Sequence, residues 1–174
     1  MHLTAVMQKY VLHWGEMGAR WGMNRSIAQI HALLYLSDEP LCAEEIGETL
    51  KIARSNVSNS LKELQTWELV KLVHLPLDRR DYFEAKHDPW DMLVTIVEGR
   101  KKREIDPTLE MLADCVREAE DDKSTPASVK AKIKAMHSFI ARLSRWYEQM
   151  RQTPRPILMK LLDLGAKITA FVGR

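Results

Sequence analysis

Apolar residues recur at three- and four-residue spacing through most of this chain and alternate, in part, in only two short stretches. Leu3, Val6, Met7, Tyr10, Val11, Trp14 and Met17 predict a helix over 3–22. Gly15, Gly18 and Gly22 each weaken that helix by up to roughly 1 kcal/mol relative to alanine, but together they leave one bare face for a close-packed neighbour. Ile27, Ile30, Leu33, Leu34 and Leu36 predict a second helix, capped by Ser26 and stopped at the turn-forming run 37–40. A short third helix follows Cys42, with Glu45 placed three residues on as in a capping box and Ile46 and Leu50 as its buried stripe. Residues 51–53 make a tight turn, and Val57, Leu61 and Leu64 give a fourth helix, from Arg54, an inward face. Residues 69–75 and 82–85 alternate in part and predict two strands joined by a charged tip at 76–81.

Beyond the strands the pattern is helical again. Asp88-Pro89 is a helix start, an acidic cap followed by proline at the first helical position, and the helix runs to about 104. Asp106-Pro107 repeats the signal and opens a further segment, or a kinked continuation, to about 120. A polar linker at 121–125 leads to a long helix with Val129, Ile133, Met136, Ile140, Leu143 and Tyr147 in register. Pro154 and Pro156 break it, and an apolar-rich helix over 157–172 closes the chain. The order helix, tight turn, helix, strand, charged tip, strand at 41–88 is that of a winged helix-turn-helix, whose second helix fits the DNA major groove. The expected fold is therefore mainly α with a small β-wing. An N-terminal dimerisation helix at 1–25 and a C-terminal helical region at 89–174, for dimerisation and effector binding, flank a DNA-binding domain at 26–88.

Charge changes this picture in its distribution more than in its sum. The net formal charge is only +2, yet 123–174 carry eleven Lys or Arg against two acids, a net of +9. The proposed DNA-binding stretch, 41–88, holds seven bases and nine acids. Several of those acids, Glu44 and Glu45 first, sit at a helix N-terminus, where negative charge is stabilising, so the outward surface is what DNA would meet. Arg54, Ser55, Asn56, Ser58, Asn59 and Lys62 occupy the outer face of the fourth helix with no acid before Glu63. These are the residue types that reach phosphates and base edges. At the wing tip, Arg79 and Arg80 stand between Asp78 and Asp81. An arginine there can enter the minor groove, with the aspartates orienting its guanidinium.

Other chemistry is thin. Two distant cysteines predict neither a disulfide framework nor a zinc site, and the six histidines have no metal-ligand spacing. No phosphate loop, nucleophile elbow or carboxylate pair points to an enzyme, and neither cofactor nor metal is expected. The N-terminus lacks a secretory leader and no apolar run is long enough to insert in a membrane, which fits the cytoplasm. Cys42, at a helix N-terminus, is expected to have a lowered pKa and offers a thiol-based redox input as one alternative. A protein-interaction module that docks its basic helical tail on an acidic partner or membrane surface is another.

The runs WGEMGARWGMNRSIAQIHALLYLS, IARSNVSNSLKELQTWELV and DRRDYFEAKHDPWDML resemble the GbsR-type branch of the MarR regulators over roughly residues 10–120, and less sharply through the C-terminal helices. Two positions depart from that pattern. Trp67 replaces a common glycine, and Ala53 replaces a frequent capping serine, which typically costs about 1 kcal/mol. The resemblance implies a homodimer, expected to be a repressor, on a near-palindromic double-stranded operator, controlled by a small effector. In the best-known members that effector is choline or a related precursor held by aromatic rings. Trp14, Tyr35, Trp67, Trp90, Trp146 and Tyr147 are the candidate rings here, with core or interface packing as the alternative role for each.

Overall fold

The structure, a computed structural model, describes residues 1–165. The end of the predicted closing helix, 166–172, lies outside the described residues. The chain divides into two compact units, Met1–Gly99 and a second from Arg100 onward.

In the first unit, α1 (Ala5–Arg20) packs on α2 (Arg25–Tyr35) through the predicted glycine face. A Cβ built on Gly18 would stand 2.5 Å from the Ala28 Cβ, and one on Gly15 would stand 2.6 Å from the Gln29 side chain. Gly22 does a different job. Its φ of +81° closes α1 in a left-handed turn, with the Met23 N–H donating to the Gly18 carbonyl at 2.9 Å. The cap of α2 is Asn24 rather than Ser26. The Asn24 Oδ1 accepts the Ser26 N–H at 2.8 Å, which places Ser26 inside the helix.

A two-residue strand, β1 (Leu41–Cys42), precedes α3 (Ala43–Leu50), and Cys42 caps that helix, its N–H donating to Glu45 Oε2 at 2.8 Å. Lys51, at φ 56°, turns the chain, and the Ile52 N–H bonds back to the Gly47 carbonyl. Gly47 leaves room for this turn, because a Cβ there would meet the Ile52 carbonyl at 3.1 Å. Next come α4 (Arg54–Thr66), β2 (Val70–Val73), β3 (Tyr82–Ala85) and α5 (Pro89–Arg100). The sheet is antiparallel in the order β1-β3-β2, with Leu41 opposite Phe83 and Leu72 opposite Phe83 on its other side. Two strands were expected. The third is too short to show alternation and exists only by pairing with β3. The core lies where α2, α3, α4 and the sheet meet, with Ile30, Leu33, Ile46, Val57 and Leu64 at 0% exposure. Asp88 caps α5 as expected, its Oδ1 accepting the N–H groups of Trp90 and Asp91.

In the second unit one π-helical turn (Lys101–Ile105) leads into α6 (Asp106–Asp121). Pro107 has no N–H to donate, and the wider turn accommodates it without a break. This is the continuous form of the alternatives that Asp106-Pro107 allows. The 26-residue α7 (Ala127–Gln152) packs on α6, and α8 (Arg155–Leu164) follows. Lys101 bonds Asp106 at 2.8 Å and Glu148 at 3.2 Å.

Candidate nucleic-acid interface

Val57, Leu61 and Leu64 are buried to 2% exposure or less, so the opposite face of α4 is fixed toward solvent. Arg54, Ser55, Asn56, Asn59 and Lys62 lie there exposed, and Ser58 is half-buried at the margin. Three of these residues are not equivalent to the rest. The Arg54 Nη2 meets Glu44 Oε1 of α3 at 3.1 Å. Asn56 is turned toward α2, its Nδ2 donating to Ser26 Oγ at 3.1 Å while its Oδ1 accepts from the buried Ser60 hydroxyl. Lys62 makes no ion pair among the described residues. Ala53 stands at the N-cap of α4 with no side-chain hydrogen bond to the free N–H groups. An open groove of about 470 Å³ runs between α3 and the start of α4, with Glu44, Glu48, Lys51 and Arg54 on its walls.

The two wing arginines have separate fates. Arg80 is folded back. Its Nε meets both Asp78 carboxylate oxygens at 3.0 and 3.1 Å, its backbone N–H donates to Asp78 Oδ1 at 2.9 Å, and its guanidinium lies 5.2 Å from the Tyr82 ring centroid. The Tyr82 hydroxyl donates to the same aspartate at 2.8 Å, and Arg80 Nη1 reaches the Cys42 sulfur at 3.6 Å. The Arg80 bonds first, then the Tyr82 bond, hold the Asp78 carboxyl well below the usual range. Only one flanking aspartate orients the guanidinium, because Asp81 instead lies 4.0 Å from His74. Arg79 is exposed and unpaired among the described residues.

Cys42 does not have the environment expected of it. The thiol is fully buried, and desolvation raises its pKa above the ordinary value. Burial outweighs the helix N-terminus, so the reactive thiolate that a redox sensor needs is disfavoured. His31 is also buried, at 3% exposure, with no partner for Nε2, and desolvation pushes its pKa down to about 4.

Of the candidate effector rings, Trp14 and Tyr35 are brought together through Tyr10, which was not among them. The Tyr10–Trp14 centroids are 5.4 Å apart at 13° and the Tyr10–Tyr35 centroids 6.4 Å apart at 15°. Parallel rings form a stack, whereas a cage needs faces converging on one point. The i, i+4 spacing of Tyr10 and Trp14 is the signal that would have found the stack. Trp67 and Tyr35 pack against the core, Trp90 is half-buried at the start of α5, and in α7 Trp146 is exposed while Tyr147 is half-buried. Among the described residues no cluster of His, Cys, Asp or Glu could hold a metal, and no helix is long and apolar enough to cross a membrane.

The helix α4 seated on α3, with a three-stranded wing beside it, defines a winged helix-turn-helix fold. Residues 21–81 match the model of the MarR family. None of the curated proteins compared matches the chain. Among solved structures, a transcriptional regulator of 16% identity aligns with a TM-score of 0.66 over 83% of this chain and 94% of its own, which shows the same fold. A MepR variant of S. aureus bound to an oligodeoxyribonucleotide has 14% identity and a TM-score of 0.39, covering 83% of this chain and 89% of its own. The regulator Tm0710 of Thermotoga maritima has 16% identity and a TM-score of 0.39, covering 83% and 90%.

Proposed function

We propose that this protein is a homodimeric regulator of the GbsR-type branch that represses transcription from a near-palindromic operator and is released by a small, choline-like effector. The observation that carries DNA reading is α4, whose buried stripe fixes Arg54, Ser55, Asn59 and Lys62 outward beside the exposed Arg79 of the wing. A second copy is favoured by α7. Val129, Met136 and Leu143 recur every seven residues with Phe139 and Trp146 beside them, and all five are 40–59% exposed. A seven-residue apolar repeat is what one helix offers another in a coiled coil. In that assembly residues 26–88 read DNA, while 1–25 and 89–174 supply the dimer contacts and the effector site. The GbsR-type placement and the choline-like signal rest on the sequence resemblance quoted above.

The test is selection from a random library of duplexes, with molar mass measured in solution. Arg54→Ala and Arg79→Ala are expected to weaken binding to the selected duplex at least about tenfold, with mass and helicity unchanged. Enrichment of no sequence by the native protein would sink the DNA-reading function. Choline at millimolar concentration should lower affinity for the selected duplex, and no response to choline removes that part of the proposal.

A further inference from the structure

The Glu44–Arg54 pair joins the positioning helix to the first residue of the reading helix. That end of a recognition helix is where base contacts concentrate. Of the other polar groups there, Asn56 is engaged with Ser26 and Ser60, and Lys62 lies two turns further on. Arg54 is thus the long-reaching donor at the position that matters. Its side chain is 79% exposed, and left alone it would settle on the nearest phosphate, a contact that carries no sequence information.

Glu44 changes that balance. Its carboxylate lies in the first turn of α3, where hydrogen bonding from its own backbone, then the Cys42 thiol and the charges of Arg54 and Arg80 hold its pKa below the ordinary value. A negative charge 3.1 Å from Nη2 meets one end of the guanidinium and repels phosphate oxygens from it. The free edge still carries paired N–H donors, which match the neutral O6 and N7 acceptors of guanine. In water the exposed pair contributes little. When DNA expels that water the attraction strengthens and the orientation holds.

Building on the DNA-reading function proposed above, we infer that Glu44 is a positioning residue that converts Arg54 from a phosphate contact into a reader of guanine. The experiment compares the native protein, Glu44→Gln, Arg54→Ala and the double variant in selection from one random duplex library. Anisotropy titrations follow on the winning duplex and on a copy changed at the position where Arg54→Ala loses its preference. The native protein should demand guanine there. Glu44→Gln, which keeps the side-chain shape, should lose about tenfold of that preference, the scale of one bidentate contact, while its binding to the changed duplex tightens. In the Arg54→Ala background the same substitution should cost no further preference. Undiminished guanine preference in Glu44→Gln overturns the inference, as does an Arg54→Ala protein that reads every position as before. Failure of the underlying function has a separate signature, the absence of any selected sequence with the native protein.

Discussion

Replacing His31 tests the account of the core quantitatively. The folded protein holds His31 neutral until about pH 4, against an ordinary value of 6.5, because burial opposes the charged form. The unfolded chain therefore binds this proton first as pH falls. Stability contributed by the neutral ring is intact above pH 6.5 and is lost progressively as pH drops toward 4. A difference of about 2.5 units at 1.36 kcal/mol each gives roughly 3.4 kcal/mol in total, of which roughly 2.5 kcal/mol disappears between pH 7.5 and 4.5. His31→Leu removes the titration, and Nε2 has no partner to forfeit, so its stability at pH 7.5 should stay within about 1.5 kcal/mol of the native value. Urea unfolding of both proteins at the two pH values, at one protein concentration, measures the difference. The carboxylates titrate equally in both proteins and cancel. If the two lose the same stability on acidification, the buried histidine is not the acid-labile element and the reasoning fails.

Further expectations concern helix packing and the ends of α4. Gly18→Ala brings two Cβ atoms at least about 1 Å inside the 3.5 to 4.0 Å contact distance. In a denaturation double-mutant cycle with Ala28→Gly, the pair should show a coupling of about 1–3 kcal/mol, and additivity would mean the helices do not touch there. Ala53→Ser supplies the missing cap and should raise unfolding free energy by about 1 kcal/mol. Glu68 holds φ 57° just beyond α4, in the turn where the Leu69 N–H reaches the Leu64 carbonyl. Glu68→Gly should stabilise by about 1 kcal/mol, read as a higher urea midpoint at unchanged slope.

What the sequence disclosed follows from how local each signal is. The Val57, Leu61, Leu64 stripe, the glycine face of α1 and the Asp88-Pro89 start are contained within a turn or two of helix, and the structure has them where the pattern put them. Asn24 and Ser26 are both good caps two residues apart, and neighbouring sequence alone could not choose between them. The left-handed position after α4 falls on Glu68 and not on Trp67, which only the backbone reveals. The pairs that differentiate the site are tertiary. Asn56 reaches Ser26 thirty residues away, and Arg54 finds Glu44 across the turn between two helices. Cys42 was misjudged for the same reason, because the helix end that lowers a thiol pKa is visible in sequence and the burial that raises it is not.

The surplus of acids in 41–88 becomes intelligible once partners are assigned, and it predicts how binding depends on salt. Glu44 holds Arg54, Asp78 holds Arg80 and Glu84 holds Lys71 at 3.2 Å, while Glu45 and Asp88 are spent on helix caps. Lys86 donates to Thr95. That leaves Lys51, Lys62 and Arg79 as the bases of this stretch with neither an ion pair nor a side-chain hydrogen bond among the described residues. Each neutralised phosphate contributes about −0.9 to the slope of log K against log salt. The proposed dimer, offering three such cations per chain, should therefore give a slope of about −5. If all seven bases of each chain met phosphates, the slope would approach about −13. Anisotropy titrations of the selected duplex between 50 and 200 mM salt, roughly the range over which such slopes are linear, separate the two. A slope steeper than about −10 would show that DNA strips the acids from their arginines, and the division of the site into held and free cations would have to be abandoned.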